Sequence, residues 1–349
     1  MDHAYQNSCL RVNEESFVQL YDCIKEGIQK DISADTECLF HYTSPDGFLG
    51  IIGEENLVFR FSQYDYLNDV SEGKDILDQF HCALESLLEK GSISKDFYDL
   101  AKNISAANTN QRELSRFIAE EDCTEFQRMS VRTFICCFSE SDDSLSLWNG
   151  YAANGSYSGF SLGLDPGEVL SLGRGNYHFL DKTDQGGRLY FCSNEDMKQK
   201  NAISINSSFS YFKVIYDNNQ KQEILKKCIE RIYLNLHNDC LMANTLLYKL
   251  LLTYKPIFKK ECFAHEREFR LAIHLPENLE AANKIIKTRA KGLYMIPYVD
   301  VILKKSSLRR IRLCPTANYD DIHLSVLDYL QRNGYEDVEV IPSACPVRY

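Results

Sequence analysis

No apolar run in the chain reaches the length of a membrane span, so a helical membrane anchor is not expected. Positive charge is also in short supply. Lys and Arg number 39 against 50 Asp and Glu, a formal net charge of -11 at pH 7. This balance argues against general affinity for nucleic acid or anionic membranes, which draws on cationic side chains near phosphates. There is no P-loop, no dinucleotide-binding glycine fingerprint, no HExxH and no paired-cysteine zinc pattern. The 13 cysteines are odd in number and scattered, and the adjacency of Cys136 and Cys137 suits neither a structural zinc nor a redox motif. Reduced, mostly buried thiols in a cytosolic protein are expected. The polar, acidic start Met1-Asp2-His3 does not have the pattern of a secretory leader. Internal repeats and low-complexity linkers are absent as well.

What is present suffices for a large core. At 349 residues and 44% hydrophobic, the chain can bury roughly three quarters of its unfolded surface without disulfide staples. The pattern predicts an N-terminal helix over 15–30 and a strand over Cys38–Tyr42. A helix capped by Ser44, with Pro45 at its first position, and a strand over Leu57–Phe61 come next. Residues 75–128 read as a helical insertion and 219–254 as a long helical segment. Strands are expected over Arg132–Phe138, Phe160–Leu164, Phe209–Tyr216, and at about 266–273, 298–303 and 310–314, with a short one over Val338–Ile341. A helix bearing Ile322, Val326 and Leu330 is stopped by Gly334. Strands and helices that do not strictly alternate predict an α+β fold in a single domain, 1–349.

Three stretches carry polar side chains where apolar ones are usual. In Glu266-Arg267-Glu268-Phe269-Arg270, a period of two places Glu266, Glu268 and Arg270 on one face and Phe269, Leu271 and Ile273 on the other. The row is either a solvated edge strand that discourages aggregation or a pair of carboxylates placed for chemistry. His41 shares a strand face with Leu39 and Thr43, and Tyr42 points the opposite way. A hydrogen-bonded core imidazole and a ligand-contacting one are both open. Trp148, the one tryptophan, and Tyr151 lie on the same side of a short helix, where they form either core or a stacking surface. Asn68, Asp69 and Glu72 resemble metal ligands in type, but helix capping by Asp69 or Ser71 accounts for them as well. Lys304, Lys305, Arg309, Arg310 and Arg312 form the most basic local run and read as a solvated surface.

The order Phe40-His41-Tyr42-Thr43-Ser44, Tyr66-Leu67-Asn68-Asp69 with Glu72, Cys137-Phe138-Ser139-Glu140, Leu147-Trp148-Asn149-Gly150-Tyr151-Ala152, Val214-Ile215-Tyr216, Glu266-Arg267-Glu268-Phe269-Arg270 and Pro342-Ser343-Ala344-Cys345-Pro346-Val347-Arg348 resembles the 2971 family of bacterial domains of unknown function. That pattern is in turn similar to the ADP-ribosyltransferase superfamily. The resemblance implies a split mixed or antiparallel sheet with helical insertions, and NAD as substrate with no metal. It implies His41 for ribose contact, Tyr151 for nicotinamide stacking, Glu268 as the catalytic carboxylate and Glu266 engaging the acceptor. Tyr42, Thr43, Trp148 and Arg270 complete the dinucleotide-contacting set. An aromatic residue usually stands shortly before the late Glu pair in the family. Here Phe263-Ala264-His265 stands there, which leaves Glu266 and Glu268 as alternatives for the catalytic role. A carboxylate at that point opposes the positive charge that develops on the ribose as the nicotinamide leaves. The acceptor would be water or a macromolecule, either protein or nucleic acid, with a regulatory partner protein and no membrane partner. The same resemblance suggests a bacterial toxin or phage-defence setting. Two other readings stay open: a non-catalytic sensor or interaction module, and a metal-dependent nuclease built on His41, Asp69 and Glu72.

Overall fold

The computed structural model describes residues 37–67, 74–107, 131–152, 158–171, 176–179, 189–192, 203–205, 208–276, 284–316 and 318–346. In chain order these form β1 (Leu39–Thr43), α1 (Pro45–Ile51), β2 (Leu57–Gln63), α2 (Asp75–Glu89), α3 (Lys95–Ala107), β3 (Val131–Ser139), α4 (Leu145–Tyr151), β4 (Phe160–Leu164) and α5 (Pro166–Ser171). There follow β5 (Asn176–Phe179), β6 (Leu189–Cys192), β7 (Ile203–Ile205), β8 (Ser208–Lys213), α6 (Asn218–Leu236), α7 (Cys240–Tyr254) and β9 (Glu268–Pro276). The last are β10 (Lys287–Lys291), β11 (Tyr294–Leu303), β12 (Leu308–Leu313), α8 (Tyr319–Arg332) and β13 (Glu339–Ile341). The helix expected over 15–30 and the candidates Asn68, Asp69 and Glu72 lie outside the described residues.

The fold is α+β, and its chain divides into two compact units. One holds the sheet, with strand order β13-β12-β4-β1-β3-β2-β11-β6-β5-β7 among the described residues, while β10 pairs with β11 and β9 lies between β3 and β8. Most neighbours are antiparallel; β11 with β6 and β12 with β13 run parallel. The sheet is split at β3. Its last residues meet β1 at Phe40↔Ser139, its middle meets β2 at Ser62↔Ile135 and Gln63↔Phe134, and its whole length pairs with β9, from Val131↔Pro276 to Ser139↔Glu268.

Alternation in each strand selects one face for the core. Leu39, Phe59, Phe61, Phe134, Phe138, Leu162, Phe269, Leu271, Val299 and Ile311 point into it, closed by Phe48 of α1 and by Val326 and Leu330 of α8. Helix α1 starts where the local chemistry requires. The Ser44 hydroxyl accepts from Gly47 N at 3.1 Å, and Pro45 gives up no needed donor at the first position. Gly47 must lack a side chain, because a Cβ there would lie 2.0 Å from Thr43 Oγ1. Helix α8 ends at Gly334, whose φ of 73° is open to glycine at little cost.

The second unit is helical and joins two stretches far apart in the chain, α2 and α3 with α6 and α7. The apolar spacing over 219–254 predicts one long segment, but two helices form. Asp239 ends the continuity by accepting from Met242 N at 3.0 Å and so capping α7, as Asp217 caps α6 through Gln220 N at 2.6 Å. Inside this unit Lys221 is completely buried. Its ammonium donates to Asp75 Oδ2 at 2.6 Å, Lys259 O at 2.7 Å and Asn218 Oδ1 at 3.2 Å, so each of its three protons has an acceptor. Removing the cation strands a buried carboxylate. Lys221→Met is therefore expected to lower unfolding stability by about 3–5 kcal/mol, and adding Asp75→Leu to recover most of that loss. Urea denaturation of the single and double variants checks both expectations.

Candidate functional site

The face of the sheet opposite the main core carries the candidate residues of the middle and late motifs. Phe40 and Tyr42 of β1 project to this side and pack with Leu147, Trp148 and Ala152 of the α4 segment. Trp148 is fully buried, edge-on to Tyr42 with ring centroids 4.8 Å apart, and its indole N–H donates to Asp143 Oδ1 at 2.8 Å. The Tyr42 hydroxyl donates to Ser141 O and accepts from Ser144 N, both at 3.0 Å. Both rings are thus committed to holding the loop before α4. The expectation that they contact a dinucleotide gives way to a structural role, because neither offers a face to a ligand. Thr43 is buried beside Gly47 and Gly159; a Cβ on Gly159 would come within 2.3 Å of Thr43 O.

Asp143 is the hub of that loop. Besides Trp148, it accepts from Ser343 Oγ at 2.6 Å and Ala344 N at 2.6 Å, drawing in the Pro-Ser-Ala-Cys stretch near the end of the chain. Arg312 supports the same place, donating to Pro342 O at 2.6 Å and pairing with Asp142. The run of basic residues expected as a solvated surface is largely engaged: Arg309 pairs with Asp165 at 3.2 Å and Arg310 with Glu339 at 2.7 Å, and Lys305 donates to Asn333 O.

Strand β9 begins two residues later than the period-two pattern implies. Arg267 takes φ 43°, a left-handed conformation that non-glycine residues adopt at a cost, so Glu266 leaves the strand while Glu268 starts it. The register Cys137↔Arg270 and Ser139↔Glu268 sets both charged residues on the α4 side, while Phe269 enters the core. They are not solvated, and β9 is not an edge. Arg270 is 1% exposed, and its Nε and Nη2 donate to the two oxygens of Glu268 at 2.9 Å each. A bidentate pair of this kind neutralises both charges in place.

Glu266 has different company. Its backbone oxygen accepts from Ser139 Oγ at 2.7 Å, and its carboxylate lies 3.4 Å from the hydroxyl of Tyr151, a long hydrogen bond. Tyr151 is 43% exposed, so α4 turns Trp148 inward and Tyr151 to the surface. Glu140 joins from the end of β3. Its N–H donates to Arg267 O at 3.1 Å, and its carboxylate pairs with Lys213 at 2.8 Å and Arg267 at 3.5 Å. The result is a cluster of Glu140, Glu266 and Glu268 interleaved with Lys213, Arg267 and Arg270. Sequence reasoning assigned no chemistry to Ser139, Glu140 or Lys213; the signal was the proximity of Ser139-Glu140 to the Trp148 motif, which only the β3–β9 register turns into contact.

His41 is not part of this cluster. Its ring packs on Phe59 and Phe138, with centroids 5.3 and 5.5 Å away, on the core face, and Nδ1 donates to Cys137 O at 2.9 Å. Burial lowers its pKa below the ordinary imidazole value, with the backbone bond to Cys137 opposing the shift. The expected convergence of His41 with Tyr151 and Glu268 is thus replaced by a division: Tyr151, Glu266, Glu268 and Arg270 on one face, His41 on the other. Among the described residues no group of three or more His, Cys, Asp or Glu is arranged to hold a metal ion, and no helix is long and apolar enough to cross a membrane.

These features define an α+β protein with a carboxylate-rich cluster where β3 ends and β9 begins. Residues 147–271, from the Trp148 helix through Arg270, match the family described as Protein of unknown function (DUF2971). No curated protein and no solved structure matches the chain.

The Asp143 hub has a defined pH signature. Burial raises its carboxyl pKa, but bonds from Ser343, Trp148, Ala344 and Cys345 outweigh that and leave it below the ordinary aspartate value of 3.8. A depressed folded value means that its stabilisation is complete above pH 3.8 and is lost as pH falls further through the folded value. Asp143→Asn is expected to cost about 1.5–3 kcal/mol at neutral pH. It should also flatten the fall in melting temperature below about pH 4, measured by thermal melts across an acid series.

Proposed function

We propose that the chain is an NAD-consuming enzyme that transfers ADP-ribose to a macromolecule or to water, with Glu266 rather than Glu268 facing the reacting ribose. The observation that carries this reading is the contact between the Tyr151 hydroxyl and the Glu266 carboxylate, 115 positions apart in sequence and adjacent in the fold. Breaking a nicotinamide–ribose bond needs a fixed carboxylate near the developing positive charge and a surface against which the nicotinamide can lie. Glu266 and the exposed ring of Tyr151 are residues of those types. The Glu268 carboxylate is already neutralised by Arg270, so its part is to hold the start of β9 and thereby the position of Glu266. A cytosolic setting fits the free thiols among the described residues, of which Cys38, Cys136 and Cys314 are buried and Cys82, Cys240 and Cys262 exposed rather than mostly buried as expected, and a toxin or defence role belongs with this reading.

The alternative is a binding module that retains the cluster without turnover. It is supported by the packing of the His41 ring on Phe59 and Phe138, on the face of the sheet opposite Glu268 and Arg270.

Incubating the purified chain with NAD and following free nicotinamide tests the proposal. Glu266→Gln is expected to lower turnover by about two to three orders of magnitude with an unchanged melting temperature. Glu268→Gln, by contrast, should cost about 3–5 kcal/mol of stability through the abandoned guanidinium. Full turnover by Glu266→Gln would remove that residue from the mechanism. NAD binding with no nicotinamide release would select the binding module.

A further inference from the structure

The hairpin formed by β10 and β11 is built unlike the rest of the chain. Residues 284–299 include Lys284, Lys287, Arg289 and Lys291 and no Asp or Glu, within a chain of net charge -11. Gly292, with φ 58°, supplies the first position of a tight hairpin turn, and Leu293, Tyr294 and Met295 follow at 97%, 72% and 60% exposure. The register Lys287↔Tyr298, Arg289↔Ile296 and Lys291↔Tyr294 places the three strand cations on one face with both tyrosines. Arg60 of the neighbouring β2 lies over the Tyr298 ring at 5.3 Å, and Arg289 donates to Ser62 at 3.2 Å. The cations crowd one another. Partial burial and then the charge of Arg60 lower the pKa of Arg289, and burial and then Arg289 lower that of Lys291.

Lysines on an edge strand commonly guard against edge-to-edge pairing, and that role accounts for the charges on β10. It does not account for three successive exposed apolar residues at the apex, which work against solubility. Their directions matter. Tyr294 and Met295 leave opposite faces of β11, and Leu293 leaves the turn itself, so a flat partner could cover only part of the tip. A medium that surrounds the tip covers all of it.

We propose that this hairpin docks on an anionic phospholipid bilayer, with Leu293, Tyr294 and Met295 entering the headgroup–acyl boundary and Arg60, Arg289 and Lys291 lying against the lipid phosphates. Tyrosine suits that boundary, and each basic side chain near an anionic surface adds a modest attraction. The contact is peripheral and reversible, since three side chains and a few charges fall far short of an inserted helix. The net negative charge of the whole chain does not oppose it, because screening confines the interaction to charges within about 10 Å of the surface. The inference does not depend on the chemistry proposed for Glu266.

Co-sedimentation of the full chain with sucrose-loaded vesicles tests it. Binding is expected to phosphatidylserine-containing vesicles and to be weak on pure phosphatidylcholine, falling as salt rises. Leu293→Asp should weaken it at least about tenfold, and Lys291→Glu about fivefold or more, with melting temperatures unchanged because these side chains are exposed. A Leu293→Trp variant should bind like the wild type and show blue-shifted emission quenched by brominated lipid. No sedimentation with either vesicle, or sedimentation that Leu293→Asp leaves intact, would overturn the proposal. So would a tip that titrates single-stranded RNA or an acidic protein in preference to vesicles.

Discussion

A guanidinium and a carboxylate are buried side by side on an interior strand, and the site takes its form from that constraint. Alone, either Glu268 or Arg270 would be an unpaired ion buried between β3 and β8, and desolvation of such an ion costs several kcal/mol. Together they form a planar two-point bond from positions i and i+2 of one strand, which also fixes the start of β9. The chain then has to leave the strand abruptly. Arg267 makes that turn in a left-handed conformation, its carbonyl held by Glu140 N and the Glu266 carbonyl by Ser139 Oγ. Glu266 is therefore delivered beside Tyr151, out of line with the strand that follows.

The opposite ends of the site are held by a similar economy. Asp143 gathers an indole N–H, a hydroxyl and a backbone N–H from two distant segments, and Tyr42 closes the loop between them. Rigid placement of α4 follows, with Trp148 as its buried anchor and Tyr151 three residues later at the surface. The two aromatic residues read as equivalent members of one helical face, but they do different work. One is buried scaffold, and the other stands at the surface beside Glu266.

Much of the scaffold was legible in the sequence because local rules govern it. The Ser44-Pro45 cap, the alternating strand Phe160–Leu164, the apolar stripe of α8 and its stop at Gly334 all follow from side chains within a few positions of one another. The helical character of 75–107 and 219–254 was legible for the same reason, while the split mixed sheet was expected only from the family resemblance. What was not legible depends on pairing. That β9 is interior, that Glu268 faces Arg270 in a sealed environment, and that His41 looks into the core on the far side of the sheet are consequences of the β1–β3–β9 register. A period of two reports which residues share a face, but not which face is wet. The φ of Arg267 broke the pattern at the point where the functional residue was sought, and nothing in residue type announced it.

Whether Glu266 is the reactive carboxylate can be read from the two acids directly. Carboxyl carbon resonances of glutamate, assigned through the Glu266→Gln and Glu268→Gln variants, can be followed as NAD is added to the wild-type chain. The account predicts that the Glu266 resonance moves with the Tyr151 ring signals while Glu268, held by Arg270, stays in place. Movement of Glu268 with Glu266 unperturbed, or no response of either acid to NAD, would contradict it.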